Sequence, residues 1–593
     1  MTGPTQASAL SLRRQSSRTS QFAGLLLGIL SLLGTAEYAQ ADNIRVALSG
    51  GTRELRENVR AHLGLGSLPC DLNELQLRSR LRGADASVSE ALRALGYYQG
   101  QWEITRERPD DKCWRIVVRL QPGQPVTVST LDIALSGDGA DDPIFLDYLA
   151  RLPLNPGDVL HHGHYESIKS ALVQRGQSAG YLDGRLTARS LRVDSEQNTA
   201  DIRLDYETGP RYRFGELSYS PSPLGQALLD RLVTVQPGAP FESARLIETQ
   251  NNLINSLYFS TVSVDQGRPD RERLEVPVTI RTEARQKYET TASVGFSTDI
   301  GPRLGYTLAN RRVNARGDTY QVSSQLSPVQ SNLGFQYSQP GRDPLRERTQ
   351  WSTGWQHEDT DTSRSDSYRA EVARITQGES GWLRNLSLKF LFEDFDIAGE
   401  SESSMLLMPG IGWSKSRSND ARYPTSGWRL GTAFRGALEG VVSDVTLVQA
   451  ELDGKVILPF LGGRVLGRAG FAATAIDDFS QLPASLRFFA GGDNSVRGYD
   501  YQTLGPTNRE GEVVGGRHRV TGSLEYDHKV WGDFALAAFV DAGSAFNTRE
   551  MTLHQSAGFG VRWFSPIGPI RVDFAFPLKD GGFRLHLSMG PDL

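Results

Sequence analysis

The residues with the most chemistry to offer stand together in the glycine-rich stretch "GGDNSVRGYD": Val496, Arg497, Gly498 and Tyr499. An arginine keeps its charge at any working pH and offers five N–H donors in a fixed fork, so a folded loop must find it an acceptor. A carboxylate is the natural partner, because the pair can bond through two parallel contacts. Gly491, Gly492 and Gly498 let the backbone turn tightly beside such a partner. Two other stretches hold ligand-type side chains. "HHGH", at 161–164, follows a Pro-Gly turn and reads as the start of a helix rather than a metal site. "EDTDTSRSDS", at 358–367, reads as a solvated loop rather than a calcium loop. No nucleophile–base pair, phosphate-cradling loop or zinc spacing stands out. The chain is therefore expected not to be an enzyme and to use no cofactor or metal.

The elements that must position the arginine come in two kinds. The 593 residues exceed one ordinary core, and a net charge of −5 with both signs interspersed leaves no electrostatic footprint for nucleic acid. At the N-terminus Arg13, Arg14 and Arg18 precede the apolar run "FAGLLLGILSLLG" and then Ala39-Gln40-Ala41. That run is short for a membrane span, so residues 1–41 read as a signal peptide, with a retained anchor as the alternative. Export makes the only two cysteines, Cys70 and Cys113, a disulfide that staples the first mature domain.

From 43 to 284 the chain repeats one plan, β-α-α-β-β, in units of 75 to 85 residues. The second and third copies share a strand followed by Pro-Gly, at Pro156-Gly157 and Pro237-Gly238, then an amphipathic helix and two alternating strands. The expected domains are 42–123, 124–208 and 209–284. Such modules are either passive spacers or carriers of sheet edges that recruit client strands.

After about residue 285 helical spacing gives way to alternation. In "YETTASVGFS" Tyr288, Ala292, Val294 and Phe296 share one face. In "RVDFAF" Val572, Phe574 and Phe576 oppose Arg571 and Asp573. About 300 residues of strand, with a charged second face and no helix to cover it, predict a membrane β-barrel over 285–593 with about 16 antiparallel strands, an apolar outer face and a wet lumen. In such a barrel Asp541 and Glu525, on the strands after the arginine loop, are the expected lumenal partners of Arg497.

Here the residues resemble a family. Val496-Arg497-Gly498-Tyr499 resembles the Val-Arg-Gly-aromatic tip of the long sixth loop in the barrel superfamily that contains BamA, TamA and the two-partner secretion transporters. "SLEYDHKVWGDFALAAFVDAGSAF" and "GFGVRWFSPIGPIRVDFAFPL" look like that family's following strands, and the repeats look like its POTRA modules. The resemblance implies a Gram-negative outer-membrane barrel with periplasmic POTRA domains. It further implies an insertase that helps autotransporters and other β-barrel clients fold into outer-membrane lipid. A weak lateral seam would serve that task, flanked by Tyr288, Val294 and Phe296 on the first strand and Phe583, Leu585 and Leu587 on the last, with Gly581-Gly582 as a weak point. Three modules and the ending "LHLSMGPDL" are closest to the TamA branch, which implies a TamB-type, inner-membrane-anchored partner on the N-terminal module. The alternative is a two-partner secretion transporter exporting an unfolded client through the lumen. That class has two modules and a plug helix, for which this chain leaves no room before "NIRVAL".

Overall fold

The computed structural model describes residues 43–70, 72–109, 113–420, 423–547, 551–565 and 568–590. The expected signal peptide lies outside them. Three three-stranded sheets are followed by one sixteen-stranded sheet. Each small sheet has its first strand parallel to its third, with the second antiparallel on the other side. In the first module the strands are Arg45–Ser49, Gln101–Glu107 and Arg115–Gln121. The order follows from the connections, because helices between strands one and two carry the chain across one face of the sheet.

Helix Arg53–Leu63 is started by the Thr52 side chain, which accepts from Leu55 N–H, and ended by left-handed Gly64. Its Leu55 and Val59 pack with Leu77, Val88 and Leu92 of the next two helices and with Ile116 and Val118 of the sheet. Cys70 and Cys113 are bonded to each other, with Cα atoms 4.6 Å apart and a sequence separation of 43. Replacing both with alanine is expected to destabilise this module by about 3 to 4 kcal/mol, the loop-closure entropy of a ring of that size. Faster hydrogen exchange within residues 45–121 is the readout, and exchange equal to the parent would refute it.

The repeated Pro-Gly has a structural reason. In both copies it is the centre of a four-residue turn, closed by Asp158 N–H to Asn155 O and by Ala239 N–H to Gln236 O. The turn needs a positive φ at its third position, and Gly157 and Gly238 sit at 97° and 82°. Their N–H groups then bond Val128 O and Phe214 O, so the turn caps the edge of each module's first strand.

The first two modules form one compact unit, and the third module with the barrel forms another. Within the second unit, the third module (strands Arg213–Tyr219, Phe259–Gln266 and Glu275–Ala284) grips two barrel turns. Tyr258 Oη donates to Gly317 O at 2.6 Å and Gly225 N–H to Ala315 O at 2.8 Å, while Arg231 donates to Gly341 O.

Each barrel strand pairs antiparallel with the next, from Tyr288–Ser297 to Arg584–Met589. The alternation predicts the faces well. Along Phe534–Phe546, Leu536 and Val540 are exposed, whereas Ala535, Ala537, Phe539 and Asp541 are buried. Apolar side chains outside and buried charges inside invert a soluble protein and suit a bilayer. The wet lumen holds only in part. Towards one end, inward-facing Leu391, Leu406, Met408, Leu447 and Ile476 pack against Leu482 and Leu486 of the loop at 477–517, giving the barrel an apolar plug. Alternation reports which side chains face inward, but not that a loop returns to cover some of them.

Candidate functional site: the loop anchor and the seam

The loop at 477–517 connects strands Gly463–Ile476 and His518–Trp531. It organises itself through isolated bridges Phe488–Gly516, Ala490–Leu504 and Thr507–Val513. Val496 is buried against Ala490 and Leu504, with Tyr499 at the edge of the cluster. That packing drives the tip against the wall. Gly498, at φ 97°, donates its N–H to His586 Nε2 at 2.8 Å, and a side chain there would crowd Pro577. Tyr499 Oη donates to Asp580 Oδ2 at 2.8 Å.

Arg497 is 5% exposed. It bonds Asp541 through both carboxylate oxygens, Nε to Oδ2 at 2.7 Å and Nη2 to Oδ1 at 2.9 Å. Its Nη1 donates to Glu525 Oε2 at 2.8 Å and to Asp573 Oδ2 at 3.0 Å, and its backbone N–H also donates to Asp541. The guanidinium lies 3.4 Å from the centre of the Phe539 ring, a cation–π contact that caps its face. Strand pairing builds this cradle: Ser523 lies opposite Asp541, Phe539 opposite Gly558, and Gly560 opposite Asp573.

Asp541 and Glu525 thus both lie on the arginine. Three further members have no local signal marking them as partners. Asp573 belongs to the charged face of "RVDFAF", but its approach to Arg497 depends on the register of four strands. Arg562 donates to Glu525 Oε1 from Nε at 3.0 Å and Nη2 at 2.8 Å, and to Asp573 Oδ1 from Nη1. Two arginines therefore share three carboxylates, with Phe539 as the third unforeseen member. Each charge is paired, which a low-dielectric site requires.

At the seam the first and last barrel strands form no ladder among the described residues. The turn after the first strand reaches the last strand through Thr298 N–H to Leu587 O at 3.1 Å, with Leu587 N–H donating to Thr298 Oγ1 at 3.3 Å. Tyr288, Val294 and Phe296 are exposed on one side, and Phe583 and Leu585 on the other; Val294 reaches 74%. Gly581 and Gly582 lie between the turn at 578–580 and the last strand, both at positive φ. In the turn after the first strand, burial and then the nearby Asp493 carboxylate push the Asp299 carboxyl up to about 6.

The 161–164 stretch opens helix His162–Ser178 as expected, whereas 358–367 is not a loop but two strand ends around a turn at 360–362. His161 stacks on His164, and His162 meets Tyr98 Oη at 2.6 Å. Asp359 accepts from Arg364 within its hairpin, and Glu358 accepts from Gln502 of the loop.

Comparison with known proteins fits this geometry. The crystal structure of BamA from Haemophilus ducreyi lacking POTRA domains 1-3 superposes with a TM-score of 0.67 at 17% identity, over 78% of this chain and 99% of that one, so the two share a fold. The outer membrane protein assembly factor BamA of Neisseria meningitidis serogroup B is 23% identical over 503 residues, 72% of this chain and 62% of that protein. Its namesake from Nitratidesulfovibrio vulgaris is 24% identical over 394 residues, 61% of this chain and 48% of that one. The chain thus spans less than two thirds of the length of these curated relatives. A POTRA domain of the TamA domain 1 type matches residues 45–122. The Omp85 superfamily domain matches residues 267–591, more than half of the chain and the whole of the barrel with its anchored loop, so the chain belongs to the Omp85 superfamily.

Proposed function

We propose that the protein is an outer-membrane assembly factor that helps β-barrel clients, autotransporters among them, into the bilayer by offering the edge of its first strand as a template. It works with an inner-membrane-anchored TamB-type protein that docks on the N-terminal module in the periplasm. The observation that carries this reading is the seam. A strand edge in lipid leaves backbone groups unsatisfied at several kcal/mol each, so a client gains by pairing with an edge already held at membrane depth. Among the described residues, strand Tyr288–Ser297 pairs on one side, with Gly301–Asn310, and keeps its other edge free of a ladder. The match of residues 45–122 to a TamA-type module supports the TamA branch and, with it, the partner.

Export of an unfolded client through the lumen is the competing mechanism. It requires the loop to leave, and Arg497 would then abandon three carboxylates.

The test is reconstitution. Vesicles carrying the protein are expected to fold an added unfolded barrel client faster than empty vesicles. Removing residues 45–122 is expected to end copurification of the inner-membrane partner while the barrel stays heat-modifiable on gels. No acceleration, together with delivery of a soluble client to the vesicle interior, would move the function to export.

A further inference from the structure

Three polar residues meet at the seam without bonding Arg497 itself. Asp299 lies in the turn at 298–300, Asp493 in the loop four positions before the arginine, and His586 on the last strand. The side chains of His586 and Asp493 are 2% and 6% exposed. Asp493 N–H donates to Asp299 Oδ2 at 2.8 Å, and Thr298 Oγ1 donates to Asp493 Oδ1 at 2.9 Å. His586 Nδ1 is 2.6 Å from the same Asp493 oxygen.

The tautomer of that histidine follows from its other nitrogen. Nε2 accepts the Gly498 N–H and so holds a lone pair. The ring proton of the neutral imidazole is then on Nδ1 and is donated to Asp493. Each carboxylate consequently has one oxygen held by N–H donors. The other oxygens, Asp299 Oδ1 and Asp493 Oδ2, are buried without a hydrogen-bond partner among the described residues. Donor atoms of the three residues lie within 4.8 Å of one another.

Two carboxylates this close repel, and a buried oxygen with no partner keeps its full desolvation penalty. A hard divalent cation removes both defects, because it balances two negative charges and gives each free oxygen a ligand bond. Calcium and magnesium both take carboxylate oxygen and complete their shells with water. His586 is then a positioning residue, fixing Asp493 through its Nδ1–H as partners behind metal ligands do.

We propose that Asp299 Oδ1 and Asp493 Oδ2 bind one calcium- or magnesium-type cation, which ties the first-strand turn and the loop together beside the last strand. The ion acts as a removable fastener on the seam.

The test uses the full chain in detergent, stripped with EDTA and dialysed, then equilibrated with calcium alone or magnesium alone up to about 1 mM, the upper range for extracellular calcium modules. The wild type is expected to bind one ion per chain and to resist proteolysis better within 477–517 when loaded. Asp299→Asn and Asp493→Asn, which keep shape and remove charge, are each expected to weaken binding at least tenfold. Asp361→Asn, in an exposed hairpin turn, should bind as the wild type does. Three results overturn the site: no ion bound at 1 mM, equal binding by the two seam variants and the wild type, or protection that follows acidification alone and ignores the cation. The last would mean that a shared proton closes the pair. Because binding and protection are read without a client, the outcome is independent of the assembly function.

Discussion

Arg497→Ala is expected to release the loop at 477–517 from the wall at a cost of about 3 to 5 kcal/mol, the range for breaking a buried ion pair by removing one partner. The size follows from what is left behind. Asp541 loses both parallel bonds and the backbone contact is left to hold it alone, while Glu525 and Asp573 keep only Arg562. Arg562 is then the guanidinium still bonded in the group, with Arg468 and Arg571 lining the same cavity. Limited proteolysis reads the release: new cleavage should occur within 477–517, while the barrel keeps its heat-modifiable mobility. Arg497→Lys tests the geometry separately, since it keeps the charge but loses the fork. It should be intermediate. Pairing Arg497→Met with Asp541→Leu should recover part of the loss, because swapping a buried pair for apolar groups is often neutral. Wild-type protease resistance in Arg497→Ala would show that Val496 packing, and not the ion network, holds the loop.

The second large effect is on activity. Continuing the antiparallel register from the Thr298–Leu587 contact puts Ser297 opposite Ser588. Such a pair sits at a position without mutual hydrogen bonds, where Cα atoms come about 4.5 Å apart, within reach of a disulfide. Ser297→Cys with Ser588→Cys, oxidised, should reduce client folding in vesicles to the rate of empty vesicles. Reduction should restore it. The background must lack Cys70 and Cys113, since the reductant would open that bond too. Efficient locking with undiminished client folding would exclude templating at this edge and leave the lumen as the route.

Much of the architecture was legible in the residues. Period-two alternation identified the barrel and its outward face, and the repeated β-α-α-β-β plan counted the modules, because both patterns are local consequences of backbone geometry. The anchor was legible in part from an arginine that cannot shed its charge, on a glycine-rich loop followed by strands that carry acids. Its full composition was not. Asp573 reaches Arg497, and Arg562 reaches Glu525, only through the registers of successive strands, and register is a long-range outcome. The plug had the same obstacle. Leu391 is an apolar residue on the polar face of its strand, and nothing local says that Leu482 and Leu486 return to cover it. Asp299, Asp493 and His586 meet from positions nearly 300 residues apart, beyond any motif.

The grip of the third module on the barrel has a mechanical consequence. The chain passes from that module into the first barrel strand through residues 285–287, with Arg285 N–H bonded back to Tyr258 O. Tyr258 itself is fastened to the next turn at Gly317, and Arg231 to the one after at Gly341. Traction arriving from the N-terminal modules is therefore borne by those two turns, each joining a pair of strands with complete ladders. The bonds act as strain relief on a cord. The first strand, which has a ladder on one side only among the described residues, is shielded from being peeled away when the modules are pulled.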